Sequence, residues 1–373
     1  MKEFDEYIRQ GEPSQVEKTQ NWLTAIGLQQ VDGLTPSAYL IQQAKENIEG
    51  DITFDEVKIR IDAYYKTLAD RKTEADDRTE EADKVSARIA EILSEKTFSF
   101  SPTEYLNIHR RLFTGIYKFA GRIRDYNITK KEWVLDGEMV LYASAEMLKE
   151  TLEYDFKEEK TFAYKGLSTQ QVIEHLAHFV AYLWQIHIFG EGNTRTAAVF
   201  LIKYLRKLGF KNASNALFAQ HSWYFRNALV RANYEDLSHG IYKTDKYLVR
   251  FLSNLLLEEN NELKNRHLHV NFGEPDLHLA KNVGGISEDF GAKKVGEKDE
   301  KLGIKLGIKL GKNEAEIVDL VNKNPLITIT ELSNLLKITK TAVENNIAKL
   351  KKQGIIERIG ARRNGSWKIT NAN

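Results

Sequence analysis

Nine consecutive residues concentrate the chemistry of this chain: His187-Ile188-Phe189-Gly190-Glu191-Gly192-Asn193-Thr194-Arg195. The imidazole of His187 titrates near neutrality and can take a proton from an incoming hydroxyl. Glu191 offers the hard carboxylate oxygen that Mg²⁺ prefers. Gly192, Asn193 and Thr194 precede a helix, so their backbone N–H groups and the positive helix end suit a phosphate. Arg195 adds a planar fork of donors for phosphate oxygens. A base, a metal carboxylate, an anion nest and a guanidinium within nine residues point to a phosphate site, which a lone His or Gly-Asn would not.

The elements around the run must position it. Val172, Leu176, Phe179, Val180, Leu183 and Ile186 recur at three- and four-residue spacing, the mark of a helix that buries one face. Ala197, Val199, Phe200, Leu201, Tyr204 and Leu205 follow, apolar almost all round, which predicts a second helix central to its domain. The polar run is therefore a loop carried by two buried helices, where binding and catalytic groups usually sit. His175 and His178, drawn with His187, would make a metal triad; no carboxylate at ligand spacing completes it, so they read as helix-face residues. Glu174 could pair with Arg195 in a purely structural role.

A chain of 373 residues with 42% apolar content suggests two or three domains with real cores. It has no cysteine, which excludes disulfides, thiolate catalysis and cysteine-ligated zinc. No stretch approaches the ~20 apolar residues of a membrane span. The start, MKEFDEYIRQ, lacks the apolar core of a secretory signal, so a cytoplasmic protein is the default. Charge is uneven: from Lys301 onward 14 Lys/Arg face 6 Asp/Glu, a tail of +8 against −7 elsewhere. The tail is the candidate for meeting an anionic polymer.

The expected architecture is mainly α. Residues 1–70 read as three short helices: Ser14 with Glu17 at capping-box spacing before the first, Gly33 as its left-handed cap, Pro36 opening the second, Gly50 closing it, and Thr53 with Glu56 opening the third. Residues 66–84 are almost entirely charged and read as a solvated helix or helical connector. A helical domain (71–260) follows, with Ser101-Pro102 starting one helix. Inside it, residues 122–135 are β-prone around Thr129-Lys130-Lys131-Glu132, which predicts a β-hairpin that the domain or a bound peptide must hold. Residues 261–311 read as a linker that ends in a Gly-Ile-Lys-Leu repeat. Residues 312–373 read as three helices and two strands around the basic turn Ala361-Arg362-Arg363-Asn364-Gly365.

The loop resembles the signature of the Fic family, His-x-Phe-x-(Asp/Glu)-Gly-Asn-Gly-Arg-x-x-Arg. Ile108-His109-Arg110, Leu112-Phe113 and Phe119-Ala120-Gly121-Arg122-Ile123-Arg124 are similar to earlier segments of that family. The resemblance implies transfer of AMP from Mg-ATP to a Ser, Thr or Tyr hydroxyl of a target protein. His187 would be the general base, Phe189 the anchor of the loop, Glu191 the Mg²⁺ ligand, Gly192–Thr194 the anion hole and Arg195 the β-phosphate ligand. The hairpin, with Thr129, Lys130 and Trp133, would be the flap that docks the target by strand addition. Ile188, Thr194 and Ala198 depart from the signature. Ala198 stands where a second Arg would contact the γ-phosphate, a role for which Arg226 and Arg231 are the substitutes at hand.

The first helices resemble the antitoxin-like domain of the VbhA type, on Gln30-Val31-Asp32-Gly33-Leu34, Pro36, Gly50-Asp51-Ile52 and Asp55-Glu56-Val57. That family's inhibitory Glu, which bonds the second Arg, corresponds to Asp32, with Leu28 in place of Ser. Inhibition is then expected to be weak or to pass through Arg195. Glu91 is a second inhibitory candidate. Residues 312–373 resemble a winged helix-turn-helix, with Lys349, Lys351, Lys352, Arg362 and Arg363 suited to DNA phosphates. Expected partners are thus a target protein, DNA and, as a homodimer, a second copy of the chain; no membrane is among them. Competing readings are a nucleotide-sensing DNA-binding regulator that transfers nothing, and a transferase using UTP or a phosphocholine nucleotide. Purified residues 312–373 should retard duplex DNA with an affinity that falls steeply with salt. A mobility shift absent at every salt concentration would assign the domain to protein binding.

Overall fold

Helix starts in this chain follow local capping chemistry closely. The computed structural model describes residues 2–68, 73–210, 216–272, 312–324, 327–336, 338–352, 355–359 and 366–369. A short helix, Asp5–Gln10 (α1), precedes Pro13–Gly27 (α2). Glu12 and Gln15 form the capping box of α2, two residues earlier than Ser14 and Glu17, because proline's fixed φ and missing N–H suit the first position. α2 tightens into a 3-10 turn, Leu28–Asp32, closed by Gly33 at φ 66. Ser37 caps Ala38–Glu49 (α3), leaving Pro36 just outside it, and Gly50 closes it at φ 92. Thr53 and Glu56 exchange hydrogen bonds at the start of Phe54–Leu68 (α4).

The charged stretch is helical and largely solvated from residue 74 to 81, and its end turns inward. Thr73 and Asp76 box the start of Glu74–Ser94 (α5), whose Ala82, Val85, Ile89, Ala90 and Leu93 are buried. Pro102–Phe113 (α6), Leu148–Thr161 (α7), Thr169–Ile186 (α8), Asn193–Lys207 (α9), Ala216–Asn233 (α10, kinked at His221) and Lys246–Leu257 (α11) follow. One continuous apolar core runs from Phe4 to Leu268, so the first helices share it with the later ones. Every residue of α9 from Asn193 to Leu205 is buried, as expected of a central helix. α2 crosses α10 so closely that a Cβ on Gly27 would lie 2.2 Å from the Ala219 Cα.

Two expectations change in detail. The expected hairpin turning at 129–132 does not form; a single antiparallel bridge, Lys131 to Met139, closes instead around a 3-10 turn at Trp133–Leu135, where the second strand was expected. Glu132 is drawn inward, 1% exposed, to a two-pronged contact with Arg226 at 2.6 and 2.9 Å, which interrupts the outward alternation a ribbon needs. The first residues of the expected linker pack on the core: Leu268 is buried and the Val270 N–H donates to Val134 O at 2.9 Å. The Gly-Ile-Lys-Leu repeat and the rest of the linker lie outside the described residues.

The chain divides into two compact units, Met1–Val283 and Gly284–Asn373. The second has helices Lys312–Lys323 (α12), Ile329–Leu336 (α13) and Lys340–Lys352 (α14), then an antiparallel pair, Ile356–Ile359 (β1) and Ser366–Ile369 (β2), with Arg358 opposite Trp367. This is the expected order. Its core is its own, built from Ile317, Val318, Val321, Leu332, Val343, Ile347, Leu350 and Trp367. The basic turn at residues 361–365 lies outside the described residues.

Asp83 on α5 fastens α3 and α4. Its buried carboxylate accepts from Ser37 N–H at 2.8 Å, Ser37 Oγ at 2.5 Å and Tyr65 Oη at 2.7 Å. Burial raises its pKa while those donors pull the other way. Asp83→Ala should destabilise the chain by about 2–4 kcal/mol, since it leaves buried donors unpaired. Urea midpoints measure it, and an unchanged midpoint would show that the contact is incidental.

Candidate functional site

The loop begins where α8 ends. His187 caps that helix in the left-handed region, φ 48 and ψ 53, which is costly for a residue with a Cβ. Arg124 holds it there: its Nε donates to His187 O at 2.7 Å, its Nη2 to Ala143 O at 2.5 Å, and its N–H to Ile188 O at 3.0 Å. The His187 ring is clasped between Tyr142, stacked with centroids 4.0 Å apart, and the edge of Trp184. Neither ring nitrogen has a hydrogen-bond partner among the described residues. Burial, reinforced by the charge of Lys130, holds its pKa well below the usual histidine value, so the ring is neutral at pH 7.

Phe189 anchors the loop as expected. It is fully buried and stacks on His109 at 3.7 Å. His109 Nδ1 accepts from the Gly121 N–H at 2.8 Å, so Nε2 carries the proton and donates to Glu191 O at 3.0 Å. Burial lowers the pKa of His109 to about 4. Asn193 closes the loop on itself, accepting from Phe189 N–H at 3.0 Å and donating to Phe189 O at 2.8 Å. Gly192 stands at φ 78, where a Cβ would meet the Phe113 ring at 2.5 Å. The Thr194 hydroxyl accepts from Trp184 Nε1 at 2.9 Å and so faces α8.

Arg195 is entirely buried, and both its terminal nitrogens donate hydrogen bonds. Its Nη1 donates to Gln29 Oε1 at 3.0 Å, and its Nη2 to Glu81 Oε1 at 2.6 Å and Tyr117 Oη at 3.1 Å. Asp32 Oδ2 lies 2.7 Å from Nε, a charge contact rather than an aligned hydrogen bond. The guanidinium also sits 4.8 Å over the Phe113 ring. Burial disfavours its charge, but Asp32 and Glu81 outweigh burial and raise its pKa. Glu81 and Tyr117 were not singled out in the sequence. Glu81 lay hidden in a charge run, 114 residues from its partner.

Glu191 lies at the mouth of the loop. Lys130 Nζ stands 3.0 Å from both its carboxylate oxygens, and the Gly192 N–H donates to Oε1 at 3.2 Å. Burial alone would raise its pKa, but Lys130 holds it below the ordinary value. Among the described residues no group of three His, Asp or Glu side chains could hold a metal, so a divalent ion here would rely on Glu191 and on oxygens of a ligand. Thr129 is exposed, and Trp133 is 57% exposed with its ring edge on His269.

Other candidates sit elsewhere. His175 pairs with Glu159 at 2.6 Å and His178 with Asp245 at 2.9 Å. Glu174 accepts from Gln170, and Glu91 pairs with Lys58 at 2.7 Å. Ala198 is buried. Arg226 is bound to Glu132 and Arg231 to Leu268 O, so neither bonds to the loop.

Residues 99–205 match the model of the Fic/DOC family, and residues 312–357 match a model described as winged helix-turn-helix DNA-binding. Among solved structures, a Fic family protein from Desulfovibrio desulfuricans G20 is similar at 11% identity, over 100% of this chain and 95% of that one, with a TM-score of 0.45. The chain thus carries a Fic/DOC domain and a C-terminal winged helix-turn-helix. No helix of the described residues is long and apolar enough to cross a membrane.

The neutral His109 sets a pH dependence. Its folded pKa of about 4 lies below the unfolded value of 6.5. The unfolded chain therefore binds more protons between those values, and stability that is complete above pH 6.5 is lost as pH falls towards 4, by about 3 kcal/mol. In His109→Gln, urea midpoints measured at pH 7 and 4.5 should differ less than in the parent. Equal differences would mean that position 109 does not titrate as described.

Proposed function

We propose that the Fic/DOC domain transfers AMP from Mg-ATP to a hydroxyl side chain of a target protein, and that the N-terminal helices restrain it. The observation that carries this reading is the buried, neutral imidazole of His187, with both nitrogens unpartnered among the described residues, on the loop that leads into the start of α9. His187 would take the proton of the target hydroxyl as that oxygen bonds to the α-phosphorus and the bond to pyrophosphate breaks. Gly192–Thr194 N–H groups would receive the charge on the phosphate oxygens, and Arg195 the β-phosphate. Bound Mg²⁺, held by Glu191, would neutralise the phosphates and orient them. Trp133, Lys130 and Thr129 on the exposed flap would meet the target segment.

Asp32 and Glu81 supply the restraint. Two carboxylates, with Gln29 and Tyr117, occupy the donors of Arg195 that a phosphate would use. The fused helices would thus act in the manner of an antitoxin. The winged helix would bring the activity to DNA through α14, on which Lys349 is 67% exposed at its side chain.

A second reading, a nucleotide-sensing regulator without transfer, is favoured by that same engagement of Arg195 and by Ala198. Incubation with α-labelled ATP and Mg²⁺ separates the two. Label on protein, cut by a factor of about 10²–10⁴ in His187→Ala, supports transfer. Glu81→Gln with Asp32→Asn should raise labelling about tenfold; no rise in the double variant would remove the brake. Absence of label with ATP, UTP or a phosphocholine nucleotide, together with DNA affinity that shifts with ATP, would establish the regulator.

A further inference from the structure

The Lys130–Glu191 contact is not a casual surface pair. The segment that delivers Lys130 is pinned on both sides: Arg124 binds His187 O and Ala143 O on one, and the buried Glu132 is gripped by Arg226 on the other. Lys131 is bridged to Met139. The side chains of Lys130 and Glu191 are only 28% and 40% exposed, and the ammonium is equidistant, at 3.0 Å, from the two carboxylate oxygens. This is the position from which a cation neutralises both oxygens at once.

We infer that Lys130 is a built-in counter-cation for the loop: its ammonium takes the place on Glu191 that a divalent ion would take, and the two compete. The inference rests on the reading of Glu191 as the metal-binding carboxylate. Two positive charges cannot share one carboxylate at this distance without strong repulsion. Arrival of the metal therefore expels the ammonium from the carboxylate, while Arg124 on one side and the Glu132–Arg226 pair on the other keep the rest of the segment in place.

The full chain can be titrated with Mn²⁺ in the presence of a saturating non-hydrolysable ATP analogue, which supplies the ligand oxygens that Glu191 alone lacks, free ion being read by electron paramagnetic resonance. Lys130→Met should bind Mn²⁺ about 3- to 10-fold more tightly than the parent, within what one partly exposed ion pair contributes. Lys130→Arg should stay near the parent, and Glu191→Gln introduced beside Lys130→Met should abolish the gain. If Glu191→Gln weakens Mn²⁺ binding while Lys130→Met leaves it unchanged, Glu191 is the metal ligand and the competition is wrong. If Glu191→Gln has no effect, the reading of Glu191 itself fails and the inference goes with it.

Discussion

A guanidinium with no exposure to water must be given counter-charge, and in this chain that requirement organises the first unit. Arg195 lies at the head of the central helix α9, and the groups that compensate it come from the 3-10 turn after α2, from α5 and from the segment after α6. Transfer of an unpaired charge into such surroundings costs several kcal/mol, so the first two hundred residues are bound to one arrangement of these elements. Breaking either carboxylate contact leaves a buried charge partly unpaired; replacing the guanidinium would strand two carboxylates. The N-terminal helices are accordingly part of the electrostatic balance of the loop.

Glu191, in the same loop, faces the opposite problem and meets it in the same way, with Lys130 as its partner. Cation and anion of the site are each neutralised from within. A ligand that uses them exchanges contacts, and its net gain is the difference between what it makes and what it displaces. The neutral, unpartnered His187 is the exception, compensated by nothing and held by ring stacking and by the Arg124 clamp on its backbone.

Local chemistry was legible in the sequence to a fair depth. Gly33, Gly50, the Thr53–Glu56 box and Ser101-Pro102 act within one helical turn, so their effect is encoded where they stand. The loop was legible because its residues are contiguous. What distant parts of the chain contribute was not. Glu81 looks like its neighbours until α5 turns that side towards Arg195, and Tyr142 has no mark that sets it beside His187. The hairpin gave way to one bridge where the buried Glu132 pairs with the half-buried Arg226, a tertiary contact that outweighs β propensity. The charged stretch is the solvated helix its composition suggests up to residue 81, but charge alone does not show that Glu81 and Asp83 face inward to Arg195 and to Ser37 and Tyr65.

The continuous core from Phe4 to Leu268 has a bearing on stoichiometry. An inhibitor that is a separate protein leaves its site on dilution, or when its own synthesis stops. Counter-ions carried on helices that share a core with the site they cover are present at one copy per site at every concentration of the protein, with an effective concentration set by the fold itself. Nothing is lost by dilution, and a ligand that reaches Arg195 must displace counter-ions of the same molecule.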